Sequence, residues 1–333
     1  MAPRNAAWTV LVLLAALTAP DRVSADDALA TALEFCNVTA SDVAPELRSS
    51  LDFVGPLRTV AIPGAEVGYH RFGNTTTGRP PLVLVAGLGS TMSFWSAELL
   101  ESLAEDQEVI IFDNRGMGYT KDFTTKPLTV PLMANDTLAF VEALELGVKP
   151  NLLGLSLGGF IATASAGLHG EHYNKVVIVS GSAGSPESEA PSLQAQQVFS
   201  DPNATELDQL NTSFPLQFPV AAEAACRRFI DPDSAVYDTY NGTTFGRQAL
   251  AILDYFYVET DVWDAVPGID NDLLLVGGED DIVVPIQSLR AIAERVPAPW
   301  LVVFKEAGHA AMNQYLPTFL QILDTFLSFS TDV

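Results

Sequence analysis

The chain alternates between short apolar runs and longer segments whose apolar residues recur at helical spacing. Each short run has the length of a strand and is almost wholly apolar, so both of its faces should be buried in a parallel sheet covered by helices. Helical spacing predicts helices over residues 132–146 and 157–169. The alternation predicts an α/β fold with a doubly wound, mostly parallel sheet. The predicted strands are 81–86, 108–112, 151–155, 175–179, 272–276 and 300–304.

Two segments depart from this alternation. Residues 57–62 and 66–72 read as two strands joined across a Pro-Gly pair, which predicts an antiparallel lead-in to the sheet. Residues 186–269 are rich in aromatics and lack the strand-helix rhythm, so we predict a mostly helical cap insertion. Most of its aromatics should form its own core, and a few should line a substrate pocket. The predicted division is a signal peptide at 1–25, an N-terminal extension at 26–55, the first part of the α/β core at 56–185, the cap insertion at 186–269 and the second part of the core at 270–333.

The N-terminus has the layout of a cleaved secretory signal. Arg4 precedes an uncharged, mostly apolar run over residues 6–19, and Val23-Ser24-Ala25 supplies the small residues that signal peptidase reads. The run is short for a transmembrane helix, and an uncleaved anchor is the alternative. We therefore expect a secreted or lumenal protein whose mature chain begins near Asp26.

Glycosylation signals and cysteine usage fit this route. The only two cysteines, Cys36 and Cys226, are candidates for a disulfide in an oxidising compartment, and two buried free thiols are the alternative. Several Asn-x-Ser/Thr triplets are candidates for N-glycosylation and should then face solvent. They begin at Asn37, Asn74, Asn135, Asn203, Asn211 and Asn241.

Composition restricts the partners. The formal net charge of −24 repels nucleic acid and anionic membranes, and it disfavours polyanionic substrates. An apolar content of 48% with only 17% charged residues is typical of a globular protein. The last apolar segment is interrupted by Gln321 and Asp324, so a C-terminal lipid anchor is not expected. The histidines and cysteines show no metal-ligand spacing, and no cofactor motif follows the first strands.

Residues 154–158 read G-L-S-L-G and match the G-x-S-x-G pattern of a nucleophile elbow. The pentapeptide alone is weak evidence for a nucleophile, because such a match arises by chance in roughly one chain in ten of this length. Here it follows a predicted buried strand and opens a predicted helix of small residues, as an elbow requires. Ser156 is therefore the candidate nucleophile, and the helix start behind it should face developing negative charge.

A serine nucleophile needs a base and an orienting acid. His309 is the candidate base, because it lies in a turn between the last predicted strand and the C-terminal apolar segment. The other histidines, His70, His169 and His172, should be surface or structural residues. The predicted strand at 272–276 ends in Glu279, Asp280 and Asp281, and the order serine, acid, histidine suits this fold. These residues alone leave the choice among the three acids open.

Together these motifs resemble the α/β-hydrolase family over nearly the whole mature chain outside the insertion. The family's Gly-x-x-Asp-x-x-x-Pro stretch falls on Gly278, Asp281 and Pro285, so the resemblance implies that Asp281 is the acid. The family's glycine before the histidine falls on Gly308. Residues 113–120 resemble the family's Asp-x-Arg-Gly-x-Gly-x-Ser turn, with threonine in place of serine, and we interpret this motif as structural.

Two backbone N–H groups should form the oxyanion hole. One belongs to Leu157, the residue after the nucleophile. The family pattern assigns the other to Leu88, in the turn after the strand at 81–86. Family members often have histidine where this chain has Ala86, which removes one support for the loop.

A serine nucleophile implies an acyl-enzyme, so the sequence predicts a secreted carboxylesterase- or lipase-like hydrolase of an ester or related acyl bond. The expected substrate is a small, uncharged and apolar acyl compound. The alternatives are a catalytically silent ligand- or partner-binding protein of the same fold, and a perhydrolase or lyase that uses the same triad. No cofactor, metal, nucleic acid or stable membrane anchor is expected, and the oligomeric state stays open.

Overall fold

The computed structural model describes residues 53–124, 126–184, 188–201, 204, 206–230 and 241–329. Within these residues the chain forms one nine-stranded sheet with the order β1-β2-β4-β3-β6-β7-β8-β9, and β5 pairs with β2. Neighbouring strands from β4 through β9 in this order are parallel, while β2 is antiparallel to each of its partners. The strands are β1 (Arg58–Ile62), β2 (Ala65–Gly73), β3 (Leu82–Val85), β4 (Glu108–Phe112), β5 (Lys121–Asp122), β6 (Asn151–Leu155), β7 (Lys175–Val179), β8 (Asp272–Gly278) and β9 (Trp300–Phe304).

Helices cover both faces of the sheet. They are α1 (Ala97–Asp106), α2 (Val130–Ala143), α3 (Leu157–His169), α4 (Leu193–Ser200), α5 (Glu206–Ser213), α6 (Pro219–Ile230), α7 (Gly242–Tyr257), α8 (Asp261–Ala265), α9 (Gln287–Ala293), α10 (Ala311–Gln314) and α11 (Leu316–Ser328). Because side chains alternate along a strand, Val83 packs under α2 and α3 while Leu84 packs under α1 and α11. The predicted doubly wound sheet and the antiparallel lead-in are confirmed.

The ends of several elements differ from the sequence prediction by one to three residues, and two differences have a clear physical reason. Helix α2 begins two residues earlier, because Thr129 caps it by accepting a hydrogen bond from the Leu132 backbone N–H at 3.1 Å. It ends at Ala143, and Glu145 takes a positive φ of 48° that no α-helix accommodates. Strand β9 lies at the edge of the sheet and is not buried on both faces as predicted, since Leu301 is 37% exposed.

The turn at residues 113–120 ties the lead-in strands to the rest of the sheet. The Arg115 guanidinium donates to Asp136 (Nε to Oδ2, 2.6 Å), to Asp122 (3.2 Å) and to the Gly64 carbonyl (2.8 Å). Burial opposes ionisation of Asp122, but the Thr124 N–H and the guanidinium groups of Arg247 and Arg115 lower its pKa to about 2. These contacts agree with the structural interpretation of the motif at residues 113–120, to which Arg115 belongs. Breaking a buried ion pair of this kind costs about 3–5 kcal/mol.

The segment between β7 and β8 has two structural parts within the described residues. Helices α5 and α6 form a small apolar cluster of their own around Phe214 and Ala225. Helices α7 and α8 instead pack into the main core, where Tyr255 stacks on Phe160 of α3 with ring centroids 5.4 Å apart. The crossover from β7 to the parallel β8 has to cover the sheet face, and α7 and α8 supply part of that cover. Their buried aromatics therefore serve as core rather than as pocket lining.

The structure describes some of the predicted glycosylation sites, while other predicted features lie outside the described residues. Asn135, Asn211 and Asn241 are exposed, and Asn74 is partly buried. The predicted signal peptide, most of the N-terminal extension, Cys36, Asn37, Asn203 and the side chain of Cys226 lie outside the described residues. Among the described helices, none combines the length and apolarity that crossing a membrane would need.

Candidate active site

Ser156 occupies the sharp turn between β6 and α3. Its backbone has φ 59° and ψ −121°, a strained conformation for a residue that is not glycine. A Cβ atom on Gly154 would lie 2.0 Å from the Gly158 carbonyl oxygen, and one on Gly158 would lie 1.9 Å from the Val85 carbonyl oxygen. Only glycine fits at either position, so this turn has the close packing that a nucleophile elbow requires.

The three residues of the predicted triad meet at the carboxyl end of the sheet. Nε2 of His309 lies 2.9 Å from Oγ of Ser156, and Nδ1 of His309 lies 2.9 Å from Oδ2 of Asp281. The His309 side chain is 13% exposed and the Asp281 side chain 1% exposed. His309 can therefore accept the serine proton on one ring nitrogen while Asp281 holds the other.

Asp281 is fixed by its own loop. Oδ1 accepts hydrogen bonds from the backbone N–H groups of Val283 (2.9 Å) and Val284 (2.8 Å), which leaves Oδ2 facing His309. Of the competing acids, Glu279 is exposed, and Asp280 is partly buried with its backbone N–H bonded to the Ala307 carbonyl at 2.9 Å. The geometry places Asp281, and not its two neighbours, against the histidine.

Ser180 contacts His309, the predicted base, in a way that the sequence did not indicate. It follows β7 directly, is buried, and has a positive φ of 46°. Its Oγ donates to the His309 carbonyl at 2.9 Å, and its N–H donates to the Val276 carbonyl at 2.8 Å. This serine therefore fixes the backbone of the histidine from the neighbouring strand end.

The turn after β3 at residues 86–90, which is predicted to contribute to the oxyanion hole and is called the oxyanion loop below, lies against Ser156. A Cβ atom on Gly87 would approach Cβ of Ser156 to 3.3 Å, and the Ser90 N–H closes the turn on the Gly87 carbonyl at 3.2 Å. Leu88 lies inside this turn, and Leu157 begins α3 behind the serine. Nδ2 of Asn114 donates to the Ala86 carbonyl at 3.1 Å, so the loop has a support although histidine is missing from position 86.

Asp113, in the turn next to that support, is a buried carboxyl group. It accepts hydrogen bonds from the backbone N–H groups of Met92 and Tyr119, both at 2.7 Å. Burial raises the pKa of Asp113 to about 7, although these two N–H groups act in the opposite direction. Thr120 replaces the family's serine and donates to the Asp113 carbonyl at 2.7 Å. Asp113 thus holds two loop segments together beside the site.

Within the described residues, no group of three or more His, Cys, Asp or Glu side chains is placed to hold a metal ion. The other three histidines lie away from Ser156. His70 is in β2, His169 ends α3 with Nε2 at 2.7 Å from Oδ1 of Asn135, and His172 lies near Glu142 and Glu171.

Comparison with known proteins gives the same fold. The model of the alpha/beta hydrolase family matches residues 82–317. A proposed carbamate hydrolase, RutD, from Pseudomonas savastanoi pv. phaseolicola is 27% identical over 256 residues, which are 76% of this chain and 95% of the relative.

Two solved structures have a similar fold. An alpha/beta hydrolase fold protein from Chitinophaga pinensis has a TM-score of 0.69 at 21% identity and covers 85% of this chain and 100% of its own. The enol-lactonase from Burkholderia xenovorans LB400 has a TM-score of 0.63 at 21% identity and covers 82% of this chain and 100% of its own. At such identities the likeness concerns the fold.

Proposed function

Because the chain belongs to the alpha/beta hydrolase family, we propose that it is a serine hydrolase that cleaves a carboxylic ester or related acyl bond through an acyl-enzyme on Ser156. The observation that carries this proposal is the hydrogen-bonded relay from Ser156 Oγ to His309 and on to Asp281, with both distances at 2.9 Å. A nucleophile, a base and an orienting acid in this geometry are the parts that acyl transfer needs.

The geometry supports a two-step reaction. Nε2 of His309 takes the proton of Ser156 as Oγ attacks the acyl carbon, and the negative charge moves to the former carbonyl oxygen. The N–H groups of Leu88 and Leu157 would bind that oxygen, each worth about 3–4 kcal/mol of transition-state stabilisation. When the tetrahedral intermediate collapses, His309 protonates the leaving oxygen and the alcohol departs.

Water completes the cycle by the same groups. His309, now neutral again, removes a proton from a water molecule that attacks the acyl-enzyme. The second tetrahedral intermediate returns the proton through His309 to Ser156 and releases the carboxylic acid. Asp281 holds the ring orientation and stabilises the imidazolium in both steps without itself taking a proton.

A small, uncharged acyl compound is the substrate class that we propose. Leu88 of the oxyanion loop packs against Ala249 and Leu253 of α7, so the surroundings of this loop are apolar. The net charge of −24 disfavours anionic compounds. Among the similar proteins, the names carbamate hydrolase and enol-lactonase both describe cleavage at an acyl carbonyl group, and this supports an acyl substrate here.

A panel of p-nitrophenyl esters with acyl chains of increasing length tests this function. We expect turnover that depends on acyl length and a stoichiometric burst of p-nitrophenol if deacylation is slower than acylation. A lactone, an anilide and a carbamate run in parallel define the bond class, and added hydrogen peroxide separates hydrolysis from perhydrolysis. Absence of turnover across the panel, together with absence of fluorophosphonate labelling, would favour the silent binding protein instead.

We also propose that the protein follows the secretory route, on the basis of its N-terminal layout and of the exposed positions of Asn135, Asn211 and Asn241. Expression in a eukaryotic host should yield medium-borne protein that begins near Asp26 and loses mass on treatment with an N-glycosidase. A variant without residues 1–25 is the control and should stay inside the cell with no mass shift. An N-terminus at Met1 with unchanged mass would contradict both expectations.

A further inference from the structure

The segment between β7 and β8 contacts the loops that carry the acid and the base. The Ser192 N–H donates to the Ile282 carbonyl at 2.8 Å, one residue after the proposed acid. The Ala310 N–H donates to the Ser213 carbonyl at 3.0 Å, one residue after the proposed base. These two contacts join backbone to backbone, so a side-chain substitution does not remove them.

The same segment reaches the oxyanion loop through a side chain. Oε1 of Gln248, on α7, accepts a hydrogen bond from the Gly89 N–H at 2.9 Å. Gly89 follows Leu88, whose own N–H is the second donor of the proposed oxyanion hole. Gln248 is thus the side-chain contact from α7 that fixes the peptide next to that donor.

Helix α7 is hydrogen-bonded to the core on both sides of Gln248. On one side of Gln248, Nη1 of Arg247 bonds Oδ2 of Asp122 at 2.8 Å. On the other side, the Tyr255 hydroxyl donates to the Ser182 carbonyl at 3.1 Å. Because the helix is attached to the core at both places, Gln248 holds the loop from a fixed position.

Stability does not explain a glutamine at this position. Gln248 is 0% exposed, and its Nε2 has no hydrogen-bond partner among the described residues. A buried donor without a partner costs about 1–3 kcal/mol, and an apolar side chain of the same length would remove that cost while leaving the Gly89 N–H without its acceptor, at a similar cost. The gain from glutamine is the acceptor that Oε1 presents to the oxyanion loop.

We propose that Gln248 is a positioning residue that holds the Leu88 N–H in place to bind the oxyanion. This inference rests on the proposed serine-hydrolase function. Gln248 touches no reacting atom, so its effect is on transition-state stabilisation through Leu88. A residue that acts only when negative charge develops should change kcat and leave KM nearly unchanged.

The test compares Gln248→Met with Gln196→Met. Methionine keeps the length of glutamine and removes both polar atoms. Loss of one oxyanion donor costs about 10²–10³-fold in kcat, so a displaced donor should cost about 10–100-fold. We expect that fall in kcat for Gln248→Met, an equal fall in the rate constant for fluorophosphonate labelling of Ser156, KM within about twofold of the wild-type value, and an unchanged Tm.

Gln196 is the matched control because it lies on α4 of the same segment, where Nε2 donates to the Pro191 carbonyl at 2.6 Å. Gln196→Met should retain wild-type kcat and labelling. Gln248→Leu repeats the removal with a different side-chain shape, and the same fall in kcat is expected.

Three results would overturn the proposal. They are unchanged kcat in both Gln248 variants, a rise in KM with unchanged kcat, and a loss of activity that only follows a lowered Tm. Failure of the proposed function is distinguishable, because the wild-type protein would then not be labelled at Ser156 by the fluorophosphonate.

Discussion

Ser156→Ala is expected to lower kcat for ester hydrolysis by about 10⁶-fold, the loss seen when the nucleophile of a serine-histidine-acid triad is removed. The variant keeps the backbone and the oxyanion loop, and it loses the Oγ atom that lies 2.9 Å from His309. Without Oγ no acyl-enzyme can form, so burst kinetics and covalent fluorophosphonate labelling should vanish together. Initial rates on the best ester of the panel and peptide mapping of the labelled protein measure the two effects.

The fold should survive this change, because alanine replaces a single hydroxyl in a partly exposed position. Ser328→Ala is a suitable control, since that exposed serine at the end of α11 bonds only its own helix backbone. The control should keep full activity and labelling. Labelling that persists in Ser156→Ala, or that maps to a different serine, would show that the nucleophile has been assigned to the wrong residue.

The regular part of the fold was predictable because its elements are determined by local pattern. Strands β4, β6 and β7 have the predicted bounds, since continuous apolar runs of strand length leave little freedom when both faces are buried. Helix α3 also has its predicted bounds, because the elbow starts it and the glycine at position 170 follows its end. Helix α2 begins earlier than predicted because Thr129 caps it. The pattern of apolar residues alone does not indicate such a polar capping residue.

The contacts that hold the site together were not predictable in the same way. Gln248 and Gly89 are 159 positions apart in the chain, and Ser180 and His309 are 129 apart. Neither Gln248 nor Ser180 belongs to a sequence motif. The contact that each makes is determined only when folding of the sheet brings distant loops together. The pattern of apolar and polar residues indicates which face of an element is buried. It does not indicate which distant backbone group a polar side-chain atom will bond.

The aromatic residues of the segment between β7 and β8 show the same limit of prediction from sequence. Their number suggested a core for a cap together with some pocket lining. In the structure, Tyr255 and Phe256 pack against Phe160 of α3, and Trp263 lies in the same apolar cluster. The crossover to a parallel strand needs apolar cover on the sheet face, and this need is a property of topology that composition does not reveal.

The choice between two neighbouring acids can be decided by a pair of isosteric substitutions. Asp281→Asn should lower kcat by about 10⁴-fold, because an amide at this position no longer presents a charged acceptor to Nδ1 of His309 and favours the wrong tautomer of the ring. The amide oxygen can still accept the N–H bonds from Val283 and Val284, which both go to Oδ1 in the wild-type protein, so the loop should keep its shape. KM should change little, since Asp281 contacts the histidine and not the substrate.

Asp280→Asn is the matched control, because it makes the same chemical change one residue away. Asp280 contributes its backbone N–H to the Ala307 carbonyl at 2.9 Å, and asparagine retains that bond. We expect kcat of this variant to stay within about twofold of the wild-type value. The measurement is kcat on one ester for both variants at equal fractions of folded protein, judged from Tm. Equal losses in the two variants, or a larger loss in Asp280→Asn, would mean that the orienting acid lies one residue earlier than the hydrogen bond to His309 indicates.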